Sequence, residues 1–365
     1  MIRAIVLVFS LTWFASYFGQ SGTIAPKYSN EFLAIGVGAD ALGMGNAFVV
    51  GANGASSSYW NATGLLEVNK WAEFNLMHSE YFAGIANFDH LSVAHTIDEN
   101  SAAGFSLIRF GVDNIPNTTQ LIDNNGILNY DNITSFNASD YAFIGSYARS
   151  LNDRISIGGS TKVIYRHVGD FARSYGFGFD IGGKYNLNKH VKLGFNFRDV
   201  TSTFNAWTFS LDDQTQETFI ATGNELPENG LELTLPKLIL GGLVQYPLFS
   251  SSFNFAAELN LDITTDGRRN VLLSMNPFSV DPHVGICVAF KELILLRAGL
   301  SNVQFVENSN NQNILNVQPS VGLGLALKGF YLDYAFTDIG DASIALYSHV
   351  ISLRLKLDKP KNAVK

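Results

Sequence analysis

Two glycine-bearing motifs in this chain have the spacing of nucleotide-binding loops. Gly36-x-Gly38-x-x-Ala41 comes close to a dinucleotide fingerprint, whose glycines let the backbone approach a pyrophosphate at a helix N-terminus. That chemistry needs a strand before it and βαβ units after it, and no such run follows. The second motif, Gly178-Phe179-Asp180-Ile181-Gly182-Gly183-Lys184, imitates a phosphate loop but ends in Tyr185 rather than Ser or Thr. It sits inside a cleanly alternating stretch, so its glycines read as small inward residues or as bends in a strand.

Acid–base, nucleophilic and metal chemistry find no better footing. The seven histidines (78, 90, 95, 167, 190, 283, 349) fall in no metal-ligand spacing. No GxSxG elbow occurs, and Cys287 stands alone, which permits neither an intrachain disulfide nor a cysteine metal site. Glu258 and Asp262 are the one carboxylate pair that stands out, and four apart on a strand they share a face. Asn61, Asn117, Asn132 and Asn137 match a glycosylation pattern that an Asn-rich chain produces by composition. The sequence therefore implies no catalytic residue, no metal and no cofactor. A net charge of −8 also argues against a nucleic-acid partner.

The elements that carry these residues are strands. Phe253, Phe255, Ala257, Leu259, Leu261 and Ile263 share one face, and Asn254, Glu258, Asn260 and Asp262 the other. Tyr175, Phe177, Phe179, Ile181 and Tyr185 oppose Gly176, Gly178, Asp180 and Lys184; Ile351, Leu353, Leu355 and Leu357 oppose Ser352, Arg354 and Lys356. This period of two means strands with one apolar and one polar face. About fourteen such segments follow Lys70: 70–80, 85–97, 102–110, 138–149, 154–166, 173–186, 190–199, 236–247, 252–263, 281–290, 293–301, 317–328, 329–337 and 347–357. Most approach the roughly 9–11 residues of a tilted membrane strand.

Their connections alternate. Short ones (98–101, 150–153, 187–189, 248–251, 291–292, 328–329) take turns with longer ones (111–137, 167–172, 200–235, 264–280, 302–316, 338–346). A soluble sandwich has no reason to sort loops by side, whereas an outer-membrane barrel does. Charged residues make up only 15% of the chain, against about 25% in soluble domains, as a lipid-covered surface would allow. The N-terminus, with Arg3, the apolar run Ala4–Ala15 and a small-residue exit, has the form of a secretory signal peptide. The expected fold is all-β: a transmembrane antiparallel β-barrel of about 14 strands. Residues 1–21 are the signal peptide, 22–69 an N-terminal segment, 70–357 the barrel and 358–365 a polar tail. A secreted sandwich or propeller is the competing reading.

The glycine-rich stretch 36–66 carries a resemblance. Ala39-Asp40-Ala41-Leu42-Gly43-Met44-Gly45-Asn46-Ala47-Phe48-Val49, then Tyr59-Trp60-Asn61-Ala62-Thr63-Gly64-Leu65, resembles the N-terminal signature of the PorV/PorQ family of Bacteroidota, a branch of FadL-like outer-membrane barrels. LPKLILGG (235–242), LRAGL (296–300) and GFYLDYAF (329–336) are similar to strands of that family. Asp40 stands where the family has Arg, Asn46 where it has Gly, and Ala62-Thr63 where it has Pro-Ala. The resemblance implies that this segment folds into the barrel as a hatch. Gly43, Gly45, Asn46, Trp60, Asn61 and Gly64 are its gating candidates, with small residues packing on the wall and Trp60 and Asn61 wedging the segment in place.

The resemblance implies two functions. PorV-like proteins serve type IX secretion or surface attachment by binding cargo C-terminal domains and secretion components. FadL-like proteins pass hydrophobic small molecules through a gated lumen, sometimes with lateral exit. The first is the leading expectation and the second its alternative; outer-membrane lipid is the implied surroundings of both. Polar lumen candidates are Asp180, Lys184, Lys192, Arg198, Glu258, Asp262, Asp333 and Arg354. Trp207, Phe209 and Phe278 are expected on long connections, as loop packing, an interfacial girdle or contacts for a partner.

Overall fold

The computed structural model describes residues 23–24, 29–82, 84–121, 127–248, 252–307, 312–337 and 348–358. The expected signal peptide, residues 1–21, and residues 359–365 of the expected tail lie outside the described residues.

Fourteen wall strands pair antiparallel, each with its neighbour in sequence, and the last closes on the first. They are β1 (Ala72–Tyr81), β2 (Ala86–Asp98), β3 (Ser101–Asn117), β4 (Thr134–Ser150), β5 (Ile155–Val168) and β6 (Ala172–Asn186). Next come β7, in two segments (Val191–Arg198 and Thr203–Phe209), and β8, also in two (Gly230–Thr234 and Lys237–Leu248). The rest are β9 (Phe253–Thr264), β10 (Ser279–Phe290), β11 (Ile294–Glu307), β12 (Asn313–Leu327), β13 (Phe330–Thr337) and β14 (Ser348–Leu357). Every expected segment lies within or against one of these strands. Closure pairs the edge groups that an open sheet would leave unpaired in hydrocarbon.

The faces are inverted relative to a soluble protein. Along β6, Gly176, Gly178, Asp180, Gly182 and Lys184 are buried while Tyr175, Phe177, Phe179 and Ile181 are exposed. Elsewhere Leu259, Leu296, Leu323 and Ile351 are each about half exposed, while Glu73, Lys162 and Glu258 are 2% exposed or less. Ring pairs collect at both rims: Tyr141–Tyr165–Tyr175 on the long-loop side, Trp71–His95 and His190–Tyr246 on the short-turn side. Apolar wall, polar interior and two aromatic bands are what a bilayer-spanning barrel requires. Leu259 sits midway along β9 on the outer face. Leu259→Arg is expected to cost about 2–4 kcal/mol, read from the urea midpoint for unfolding out of vesicles.

Several strands outrun the hydrocarbon on the long-loop side. Strands β3 and β4 reach 17 residues each, so the expected loop 111–137 shrinks to 118–133. The connection expected at 167–172 is a tight turn, because β5 runs to Val168 and β6 starts at Ala172. The expected long connection 200–235 holds the upper segments of β7 and β8 and a helix, α3 (Asp213–Ala221); the shorter helices α1 (Ala39–Leu42) and α2 (Ser57–Trp60) precede the barrel. Both split strands break at one height. Asp199 and Ser202 take positive φ in β7, and Leu235–Pro236 interrupts β8, where proline offers no N–H to a ladder.

Candidate functional site

Residues 29–70 fill the lower lumen as a plug tied together by its own polar groups. The Trp60 indole donates to the Val37 carbonyl (2.9 Å), and the Tyr59 hydroxyl to that of Leu33 (2.6 Å). Asn61 accepts from the Thr63 amide and donates to the Val49 carbonyl at 3.0 Å. The Asn61 amide lies against the wall backbone as well, 3.2 Å from the Phe195 carbonyl.

Where the plug presses on the wall, the wall is glycine. A Cβ at Gly299 would collide with the Met44 carbonyl carbon and the Gly45 nitrogen; one at Gly322 would touch Gly43, and one at Gly158 would meet Ala62 and Thr63. Gly104, Gly182, Gly241 and Gly285 face Leu65, Asn61, Val49 and Met44 in the same way. Glycine is needed on the plug side at Gly45, which has φ +62° and abuts Leu300. Asn46 follows with φ 63° and donates to the Ile35 carbonyl. Gly64 is fixed by crowding instead, against the Ala52 carbonyl and Ser57.

Charged wall residues hold the plug. The Glu258 carboxylate accepts from the Val50 and Gly51 amides, both at 2.7 Å. The neighbouring Asn260 amide, with its oxygen toward the plug, accepts from Phe48 (2.8 Å) and Val49 (3.0 Å). Arg354 pairs with Asp40 and donates to Asn53 at 2.6 Å, and Ser352 accepts from the Ala39 amide. Asn196 donates to the Trp60 carbonyl at 2.7 Å, and Arg198 lies over the Tyr59 ring at 4.5 Å. Lys184 and Lys192 each stand 3.6 Å from Glu67. Burial opposes the charge on Glu67, but those two ammonium groups outweigh it and hold the carboxyl below its ordinary range. A carboxyl shifted down contributes its hold above the usual Glu range and loses it only as pH falls through the lowered value.

Above the plug lies a charged layer. Lys162 bridges Asp180 (2.8 Å) and Asp199 (2.5 Å); Lys237 meets Asp262 at 2.9 Å. On the other side of the barrel Arg297 and Asp333 pair at 2.7 Å, but below the plug, near the short turns, where both line a second cavity. Above the charged layer, toward the long loops, the interior turns apolar. Phe136, Val168, Phe171, Trp207, Phe209 and Phe219 line a cavity of about 640 Å3 under helix α3. Asp212 caps that helix by accepting from the Thr215 amide, and Thr218 ties it to the Thr119 carbonyl.

All eight expected lumen residues face inward, but they do not form one site. Lys184, Lys192, Arg198, Glu258 and Arg354 touch the plug, whereas Asp180, Asp262 and Asp333 sit in pairs on the wall. Trp207 and Phe209 are not on a loop: they occupy the inner face of β7 and line the apolar chamber. Phe278 does lie on a connection and is 49% exposed. Outside the eight expected lumen residues stand Glu73, which accepts from the Ala55 amide, and Asn196, Arg297 and Ser352. Each is an inward position of an alternating strand, and that parity was the signal that could have found them.

No family model matches the chain, and no curated protein matches it. Solved structures do. The P. putida toluene transporter TodX superposes with a TM-score of 0.53 at 13% identity, covering 89% of this chain and 99% of that one. The CymD monoaromatic hydrocarbon channel gives 0.52 at 14%, covering 89% and 98%. A Pseudomonas aeruginosa FadL homologue gives 0.51 at 11%, covering 92% and 99%. At such identities the likeness is one of fold: the chain is a FadL-like barrel with its N-terminal segment inside.

Proposed function

We propose that this chain is an outer-membrane channel for small hydrophobic molecules, entered through the apolar chamber and gated by the hatch. The observation that carries this reading is the chamber itself. A polar lumen has no structural need for an apolar cavity at its outer end, and about 640 Å3 falls in the range of small-molecule sites. The solved neighbours named as toluene transporter and hydrocarbon channel support the same class of cargo. A hydrophobe in the chamber meets the charged layer below and the wall beside it. Sideways passage, near the breaks in β7 and β8, avoids desolvating those ion pairs. In Phe219→Asp, a carboxylate wets the chamber from the helix without touching the wall. Toluene uptake into reconstituted vesicles is expected to fall by about tenfold or more; undiminished uptake would sink the proposal.

A second reading keeps one observation of its own. Leu273, Met275 and Phe278, on the connection 265–278, are about half exposed. Such a rim suits a PorV/PorQ-type role in type IX secretion or surface attachment, with cargo C-terminal domains seated on the loop. Affinity purification from the native outer membrane separates the two, since secretion components would co-purify in one case and a bound hydrophobe in the other.

A further inference from the structure

The apolar chamber has a charged floor, and the floor has a sign. Among the described residues, those lining the chamber include no Lys, Arg or His, and the only ionisable ones are Glu228 and Glu232. Glu232 is held firmly. One of its oxygens accepts from the Ser29 hydroxyl (2.5 Å) and the other from the Trp207 indole (2.6 Å). The nearest cation, Arg166, is already committed: it donates to both oxygens of Asp140, at 2.9 and 3.2 Å, and stands 3.8 Å from Glu232. Its guanidinium also lies 5.0 Å from the Trp207 ring centre. Glu232 with the Asp140–Arg166 pair behind it sums two carboxylates and one guanidinium, net −1, and Glu228 adds a further carboxylate to the lining.

A carboxylate-bearing ligand entering here would lose its water, find no cation to pair with, and face a like charge. An uncharged hydrophobe pays neither penalty. We infer that the chamber selects by charge, accepting neutral hydrophobic molecules and rejecting acids of the same shape, with Glu232 and Asp140 as the specificity-determining residues. The inference rests on the proposed function, because it describes what the chamber admits. It adds a restriction that volume and apolar lining alone do not impose, since both would welcome the tail of a fatty acid as readily as an aromatic hydrocarbon.

Fluorotoluene, fluorobenzoate and fluorobenzylamine share a ring and differ in charge. Their binding to the purified protein can be followed by fluorine NMR line broadening, with protein-free micelles as the blank. Fluorotoluene is expected to bind at least about tenfold more tightly than fluorobenzoate, and fluorobenzylamine to bind more tightly than fluorobenzoate also. In Glu232→Gln, and separately in Asp140→Asn, the ratio of fluorotoluene to fluorobenzoate affinity should narrow severalfold. Asp140→Asn should narrow it more, because it also frees the Arg166 guanidinium. Fluorobenzoate binding the unmodified protein as well as fluorotoluene does would overturn the charge selection while leaving the chamber a hydrophobe site. No protein-dependent broadening from any of the probes would overturn both the chamber reading and this inference.

Discussion

Arg354→Met is expected to loosen the hatch at a cost of about 3–5 kcal/mol, because it strands buried charge rather than merely deleting a contact. Arg354 is 6% exposed. Its guanidinium meets the Asp40 carboxylate and the Asn53 side chain on the plug, and stands 3.7 Å from Glu73 on the wall. Asp40 is 3% exposed, and no other ion pair is recorded for it among the described residues. Methionine fills the space and leaves Asp40 buried without a cation. The plug can relieve this only by moving Asp40 out into the cavity of about 480 Å3 below it, which Asp40, Glu67 and Lys356 line. Planar-bilayer conductance should rise, and protease added from the short-turn side should cut the plug while the wall resists. Arg354→Met combined with Asp40→Asn should recover part of the loss, because the stranded charge has gone, whereas Glu73 keeps the Lys356 ammonium (3.9 Å) and the Ala55 amide. Unchanged conductance and protease resistance in the single variant would show that the plug does not depend on this pair.

The wall was legible in the sequence because a bilayer imposes one rule on every strand. Where oil lies outside and water or polar plug inside, residues such as Phe177/Gly178 and Leu259/Asn260 must differ in character, and alternation shows it. The rule fails where the inside is not polar. Along Thr203–Phe209, Trp207 and Phe209 face inward to the chamber while Phe204 faces out, so both faces carry apolar residues and the period-two contrast disappears. The stretch therefore reads as a loop, and the chamber it helps to build stays hidden in the sequence with it. The plug was legible through the family resemblance alone; the small-residue composition of 36–66 fits it without naming it. Its anchoring was not, because Glu258–Val50 and Arg354–Asp40 join residues more than 200 positions apart. The charge of the chamber floor is hidden for the same reason: Asp140, Arg166 and Glu232 come from three strands, and only the closed sheet brings them together.

Gly299→Val tests the fit of plug to wall, with Gly242→Val as its partner. Both glycines sit in wall strands, and valine suits a strand in either place. Gly299 faces inward, where a Cβ would occupy the position of the Met44–Gly45 peptide; Gly242 faces outward, with only the Leu193 side chain near its would-be Cβ, at 3.7 Å. Backbone cannot swing aside as a side chain can, and Gly285, also packed on Met44, closes off retreat toward the neighbouring strand β10. Overpacking of this kind costs about 3 kcal/mol or more. The barrel ladder need not carry that cost, since the plug can lift away and leave the wall closed. Gly299→Val is therefore expected to keep its heat-modifiable folded band on gels yet show raised conductance and a protease-sensitive N-terminal segment, while Gly242→Val behaves as the unmodified protein in all three. Equal behaviour of the two variants would mean that the small residues serve strand bending rather than seating of the plug. A wall that instead unfolds in Gly299→Val alone would mean that plug and barrel form a single cooperative unit, which a hatch that opens cannot be.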